Sequence, residues 1–320
     1  MSSTINPVYE YLHTLTVGDV NRDLTMVVAD ASDDINEVVT SMASHGITSL
    51  PVVKDGACVG HVDSLDIVSH IVAAAPSEAE MAADEADRIE MFRRAIRMLA
   101  VEHIMDASGR DPYVPLHKHQ PITTALSLFA LGIHRCPVVS EDGTVVSLLS
   151  QSDILAHLTG IASDDSINHL ERGHLGQFAE QELAALGLDH TDNLVVVAES
   201  DSVWSALKRL QANNVTAVAV TDASGKLVAD LSATTLRGLV FDSYPLLLDS
   251  IHNFLATHVK NPSPPVVCSA STSFGQACQD MASAHVHRLW CVDAAGTPVG
   301  VFSATDAMRT IANVAFTADP

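Results

Sequence analysis

Three aspartates in this chain stand where a short polar run gives way to helix-like apolar spacing. They are Asp66 in Asp63-Ser64-Leu65-Asp66, Asp153 in Ser150-Gln151-Ser152-Asp153, and Asp306 in Ser303-Ala304-Thr305-Asp306. A carboxylate at a helix start can accept hydrogen bonds from both hydroxyls of a ribose, a bidentate contact that recognises a nucleoside. Taken one at a time, the simpler reading is a helix cap, since Ser, Thr and Asp satisfy the free N–H groups of a first turn. The two roles can coexist, with Ser150 or Ser303 taking the cap. Two basic pairs, His134-Arg135 and His287-Arg288, supply the complementary chemistry. Arg offers a forked, permanently charged donor for phosphate, and His adds a donor that charges readily beside an anion. A single such pair would be an ordinary solvated strand edge; two at equivalent positions in an acid-rich chain point to phosphate.

The elements that must position these residues recur four times. The most complete copy runs from His287 to Arg309: an apolar strand, an Asp293/Gly296 turn, a second apolar strand, and a helix opened by Ser303 to Asp306. The four copies have the boundaries 16–72, 101–158, 187–240 and 255–315, each with the order β-α-β-β-α. Strands are expected at Met26 to Val28, Leu50 to Val53 and Ala57 to Val62 in the first, with a helix from an Asp33-Asp34 cap to about His45. Tyr113 to Leu116 and Leu194 to Val197 open the second and third. Register is the test of repetition. The span from Pro51 to Asp66 is 15 residues, and those from Pro137 to Asp153, Ala219 to Thr235 and Trp290 to Asp306 are 16 each. Unrelated elements would not hold that spacing. A unit of about 55 residues is marginal alone, so the copies should pair two by two. Residues 76–90 and 159–182 read as polar connectors, and 91–103 as an amphipathic helix carrying Arg93, Arg94 and Arg97.

Composition narrows the partners. The 320 residues carry 39 acidic against 17 basic side chains, a formal net charge of −22. That field repels a phosphate backbone, so no nucleic acid is expected. A small anion must find the few basic residues gathered locally. The five cysteines (58, 136, 268, 278, 291) form no CxxC pair and read as reduced, buried thiols. The first 15 residues show neither a basic n-region nor an apolar h-region, and no apolar run approaches the roughly 18 residues that span a bilayer. A soluble, cytoplasmic or nuclear protein without a membrane partner is expected. Cys278, His285, His287 and Cys291 lack zinc-ligand spacing, so no metal site is expected. His117-Lys118-His119 reads as a solvated turn, and Trp204 and Trp290 as core. There is no P-loop, GxGxxG, HExxH or GxSxG, and no nucleophile–base arrangement, so no catalytic residue is assigned.

The fourfold pattern resembles cystathionine-β-synthase (CBS) domains, and four copies in one chain resemble the AMP-activated protein kinase gamma-subunit family. Val286-His287-Arg288-Leu289 and Ile133-His134-Arg135-Cys136-Pro137-Val138 look like that family's basic pairs; Ser150 to Asp153 and Ser303 to Asp306 look like its ribose-binding segments. The resemblance implies an α/β (α+β) fold of four CBS repeats paired into two modules, forming a disc-like, pseudo-symmetric assembly. It implies a non-catalytic regulatory protein that binds AMP, ADP or ATP through Asp63, Asp66, His134, Arg135, Ser150, Ser152, Asp153, Thr216, His287, Arg288, Ser303, Thr305 and Asp306. With the register, it shifts Asp153 and Asp306 from caps toward ribose ligands. Kinase alpha and beta subunits are the implied partners; a stand-alone CBS scaffold, or an adenosyl ligand such as S-adenosylmethionine, is the alternative. The sequence departs from the family in three ways. Thr235 replaces the aspartate of the third repeat, so that site is expected weak or empty. Thr48-Ser49 and Thr216-Ala217 stand where basic residues are usual. Asp63 replaces a Ser or Thr and brings extra negative charge beside Asp66, which ranks that site below the second and fourth. So few basic residues suit a mono- or diphosphate at one or two sites better than three triphosphates.

Overall fold

The structure, a computed structural model, describes residues 7–21, 26–74, 99–161, 176–190, 194–232, 235, 246–259 and 264–316. Much of the 91–103 helix, the 76–90 connector and the stretch after Thr235 lie outside them. The chain divides into two compact units. Unit 1 holds 1–26, 110–192 and 266–320; unit 2 holds 27–109 and 193–265. The second and fourth repeats therefore share unit 1, and the first and third share unit 2.

Each repeat is built on one antiparallel hairpin: β2 (Ser49–Lys54) with β3 (Ala57–Asp63), β4 (Arg135–Val139) with β5 (Val145–Ser150), β7 (Ala217–Thr221) with β8 (Leu227–Ser232), and β10 (Arg288–Val292) with β11 (Pro298–Ser303). A short parallel strand flanks three of them: β1 (Ala29–Asp30) on β2, β6 (Val196–Ala198) on β7, and β9 (Val267–Cys268) on β10. In the second repeat this shrinks to one bridge, Leu116 with Val138. The first strand thus lies slightly later than expected at Met26 to Val28, and the Tyr113 to Leu116 strand is reduced to its last residue.

The repeat extends to irregularities. In every hairpin one residue of the second strand is skipped at the same place: Val59, Val146, Val228 or Val299. Such a bulge bends the strand and sharpens its twist. The one-residue difference in spacing lies in the turn. The first hairpin closes over Asp55 (φ 52°) and Gly56 (φ 84°), a two-residue loop needing two positive φ angles. The others spend one residue more, with only a glycine in that region: Gly143, Gly225 and Gly296, each at φ 85°. Helices begin where caps predict. Asp34 accepts from the N–H of Asn36 to open Ile35–His45, and Ser202 and Ser273 cap Val203–Ala212 and Phe274–Ser283.

Each unit carries its own core. In unit 1, Phe129, Phe274 and Phe302 are fully buried, the last two edge-on at 5.8 Å between centroids, with Leu289 and Cys291 of β10 in the same core. In unit 2, Phe254 and Trp204 pack with Val52, Val62 and Leu207.

The repeats do not keep their leading segments to themselves. Thr16 bridges to Pro121, so the segment before the first repeat's strands packs on the second repeat; Asp34 bridges to Ala100, and the exchange is returned. Glu182 with Ser273 and Ser202 with Ser250 repeat the swap between the third and fourth.

Candidate ligand site of unit 1

Strand register places the chemistry. Arg135 opens β4 directly across from Ser150, the last residue of β5, and Arg288 stands likewise across from Ser303. The hairpin ends are stitched to the helices that follow, because the carbonyls of His134 and His287 accept the N–H groups of Gln151 and Ala304. Each half of unit 1 thereby sets a His-Arg pair beside a helix N-terminus, whose unpaired N–H groups favour an anion.

Both roles weighed for Asp153 and Asp306 are visible. Ser150 Oγ donates to Asp153 Oδ2 at 2.6 Å and the Ser150 N–H at 2.7 Å; Ser303 makes the same contacts with Asp306 at 2.6 and 2.9 Å. The serine is the cap, and the aspartate's Oδ2 completes a capping box. That leaves Oδ1. On Asp153 no group among the described residues bonds it, whereas on Asp306 it meets the Arg309 guanidinium at 3.4 Å. Both carboxylates are half-buried.

Beyond the shared apolar core, polar side chains of the described residues link the two halves. Ser152 Oγ lies 3.1 Å from His287 Nδ1. The Gln151 amide and the Thr305 hydroxyl pair in both directions, at 3.0 and 3.3 Å, while the same amide donates to the Ile133 carbonyl. The fold therefore collects His134, Arg135, Ser150, Ser152 and Asp153 with His287, Arg288, Ser303, Thr305 and Asp306 in one unit. It also creates a Ser–His contact that no sequence motif announced. Gln151 and Asp111 were missed. Gln151 falls where the fourth repeat has Ala304, and Asp111 lies in a stretch read only as an approach to the strands. Asp111 is 4% exposed, and its Oδ1 accepts the His134 N–H at 2.6 Å. Burial pushes its carboxyl up, but the His134 hydrogen bond and the charges of His134 and Arg135 outweigh this and hold it below the usual value.

In unit 2 the equivalent positions carry other residues. Thr48-Ser49 and Thr216-Ala217 occupy the basic positions, and Thr216 is not part of the unit 1 group. Thr235 Oγ1 accepts from the Ser232 N–H at 3.1 Å and lies 3.3 Å from the Ser232 hydroxyl. Asp66 is 1% exposed and already bonded at both oxygens. Oδ2 accepts the Asp63 N–H at 3.0 Å and Oδ1 the Ser108 N–H at 2.9 Å, while Asp63 Oδ1 takes the Asp66 N–H. Burial first, and the Asp63 charge second, raise the Asp66 carboxyl from 3.8 to about 7. A ribose could reach it only by displacing Ser108.

A family model described as the CBS domain matches residues 17–73, 101–160, 186–241 and 258–313. The chain belongs to the CBS-domain family. Among curated relatives, Protein SDS23 of Kluyveromyces lactis is 23% identical over 320 residues, covering 90% of this chain and 60% of that protein. Protein SDS23 of Yarrowia lipolytica is 23% identical over 288 residues, covering 83% and 55%. The chain thus spans little more than half the length of these relatives. Among solved structures, protein MJ1225 of Methanocaldococcus jannaschii, described as a candidate archaeal homologue of γ-AMPK, matches with a TM-score of 0.70 at 16% identity, over 92% of this chain and 99% of that one. A conserved protein of Pyrococcus horikoshii matches at 0.52 and 15%, over 93% and 100%. These likenesses are of fold. They make this a four-repeat CBS protein with the architecture of γ-AMPK-like chains. No helix among the described residues is long and apolar enough to cross a membrane, and no group of His, Cys, Asp or Glu among them gathers as a metal site would.

Proposed function

We propose that this CBS protein is a non-catalytic regulatory subunit that binds an adenine nucleotide, AMP or ADP by preference, in unit 1. One observation carries the reading: two His-Arg pairs and two half-buried aspartates are gathered in unit 1, and their counterparts in unit 2 are threonines, small residues and a fully buried carboxylate with both oxygens on backbone N–H groups. Two arginines neutralise a mono- or diphosphate; a triphosphate would need more cations than the site offers. Occupancy would act by favouring one arrangement of the two halves, since Ser152–His287 and Gln151–Thr305 tie them together. The likeness to a protein described as a γ-AMPK homologue suggests serine/threonine kinase alpha and beta subunits as partners. The second reading is a stand-alone CBS regulator or scaffold outside any kinase, which co-purification from the native source separates from the first.

The test of the site is calorimetric titration with AMP, ADP and ATP on wild type, Asp153→Ala, Asp306→Ala and Asp66→Ala. Weakening by the first two and not the third is expected. Binding undisturbed by Asp153→Ala and Asp306→Ala, or ATP binding much more tightly than AMP, would overturn the assignment.

A further inference from the structure

The two histidines of unit 1 occupy equivalent positions but are held by different chemistry. His287 Nδ1 faces the Ser152 hydroxyl, which can donate or accept. His134 Nδ1 lies 3.1 Å from each oxygen of Asp111. Asp111 is buried, and the same carboxylate accepts the His134 backbone N–H, fixing the main chain as well as the ring. An ionised carboxylate only accepts, so Nδ1 must carry the proton.

We propose that Asp111 is a positioning residue for the nucleotide site: it holds the His134 ring by Nδ1–H and turns Nε2 to the phosphate, to which Nε2–H donates once the ring takes up its second proton beside the anion. The inference rests on the nucleotide reading above. Asp111 is the second residue after the chain enters unit 1 at Arg110, so the lock also fixes that entry against the start of β4. Asp111 stays ionised with the help of the His134 hydrogen bond and the charges of His134 and Arg135. The outcome is a site in which the His134 ring is preset for an anion.

The experiment uses the full chain labelled with 15N-histidine, with the His134 ring signals assigned by their loss in His134→Asn. Wild type, Asp111→Ala and Asp111→Asn are recorded with and without AMP, alongside calorimetric affinities and melting curves. Expected in wild type are a protonated Nδ1 and an Nε2 signal that moves on adding AMP. In Asp111→Ala the tautomer preference disappears and AMP affinity falls on the order of tenfold. Asp111→Asn keeps a carbonyl acceptor, so the tautomer survives and affinity falls about threefold, the cost of the lost charge. An unchanged tautomer and unchanged affinity in Asp111→Ala overturn the proposal; if that variant does not fold, unchanged affinity in Asp111→Asn does so. AMP binding that needs Asp153 and Asp306 yet ignores Asp111 sinks this inference and leaves the nucleotide reading standing. A wild type that binds no AMP, but whose ring responds to Asp111 as described, sinks the nucleotide reading and keeps the lock.

Discussion

Replacing Asp63 by serine, the residue at this place in the other three repeats, should make unit 2 more stable at neutral pH. Asp66 lies beneath it with a carboxyl raised from 3.8 to about 7 by burial and then by the Asp63 charge. The folded state therefore holds a proton that the unfolded chain releases between about pH 4 and 7. In that window stability falls as pH rises, and above the folded pKa it levels off. Taken at face value, the shift of about three units corresponds to roughly 4 kcal/mol, at about 1.4 per unit. Burial is the larger cause, so removing Asp63 should recover roughly 1–2 kcal/mol of that. Serine can also donate to Asp66 as Ser150 and Ser303 donate to Asp153 and Asp306. The assay is urea unfolding from pH 4.5 to 8. The chain's two tryptophans are Trp204 in the unit 2 core and Trp290 in unit 1, so a Trp290→Phe background reports unit 2 alone. Asp63→Ser should flatten the decline between pH 5 and 7 and raise stability at pH 8. Parallel curves for the two proteins would refute the account of Asp66.

Acid should act on unit 1 with the opposite sign. Asp111 sits below its usual value, so its contribution is present above about pH 4 and lost as pH falls through the folded pKa; Trp290 fluorescence below pH 4 is the check. Gly300→Ala should destabilise clearly, since its Cβ would press on the backbone carbonyl of Asp189, whereas Gly60→Ala meets only the flexible Met105 side chain; paired thermal melts compare them. Phe302→Ala should cost about 3–5 kcal/mol in unit 1, the usual cost of emptying a buried aromatic site, read by urea unfolding. Thr235→Asp should add no AMP equivalent to the titration, because Thr216-Ala217 leaves that repeat without a phosphate partner.

Much of this fold was legible because its signals are local and repeated. Four hairpins with Asp/Gly turns and Ser/Asp helix openings gave the β-α-β-β-α order, and even the 15-versus-16 spacing has its cause in the Asp55-Gly56 turn. The site was legible where repeats could be compared: His134 with His287, Arg135 with Arg288, Asp153 with Asp306. What stayed hidden depends on long-range placement. That Ser108 would lie on Asp66, 42 residues away, is set by the swapped leading segment and not by any pattern around either residue. Asp111 and Gln151 lacked a repeat counterpart to mark them. The union of the second repeat with the fourth is likewise a property of packed surfaces such as Phe129, Phe274 and Phe302, whose apolar faces look alike in every copy.

The exchange of leading segments has a consequence for how the protein is made and cut. The chain passes between the units at 26/27, 109/110, 192/193 and 265/266. Neither unit is contiguous, so no single cut isolates one: a protease that nicks one crossing makes two fragments with no covalent link between them, while three crossings still join the two units. During synthesis the second repeat emerges long before its companion in unit 1, and its matching surface must wait for Val266 onward. Chaperone dependence and slow closure are the expected signature of such a chain. Dissecting it into single repeats would test fragments that never exist as folded bodies in the whole.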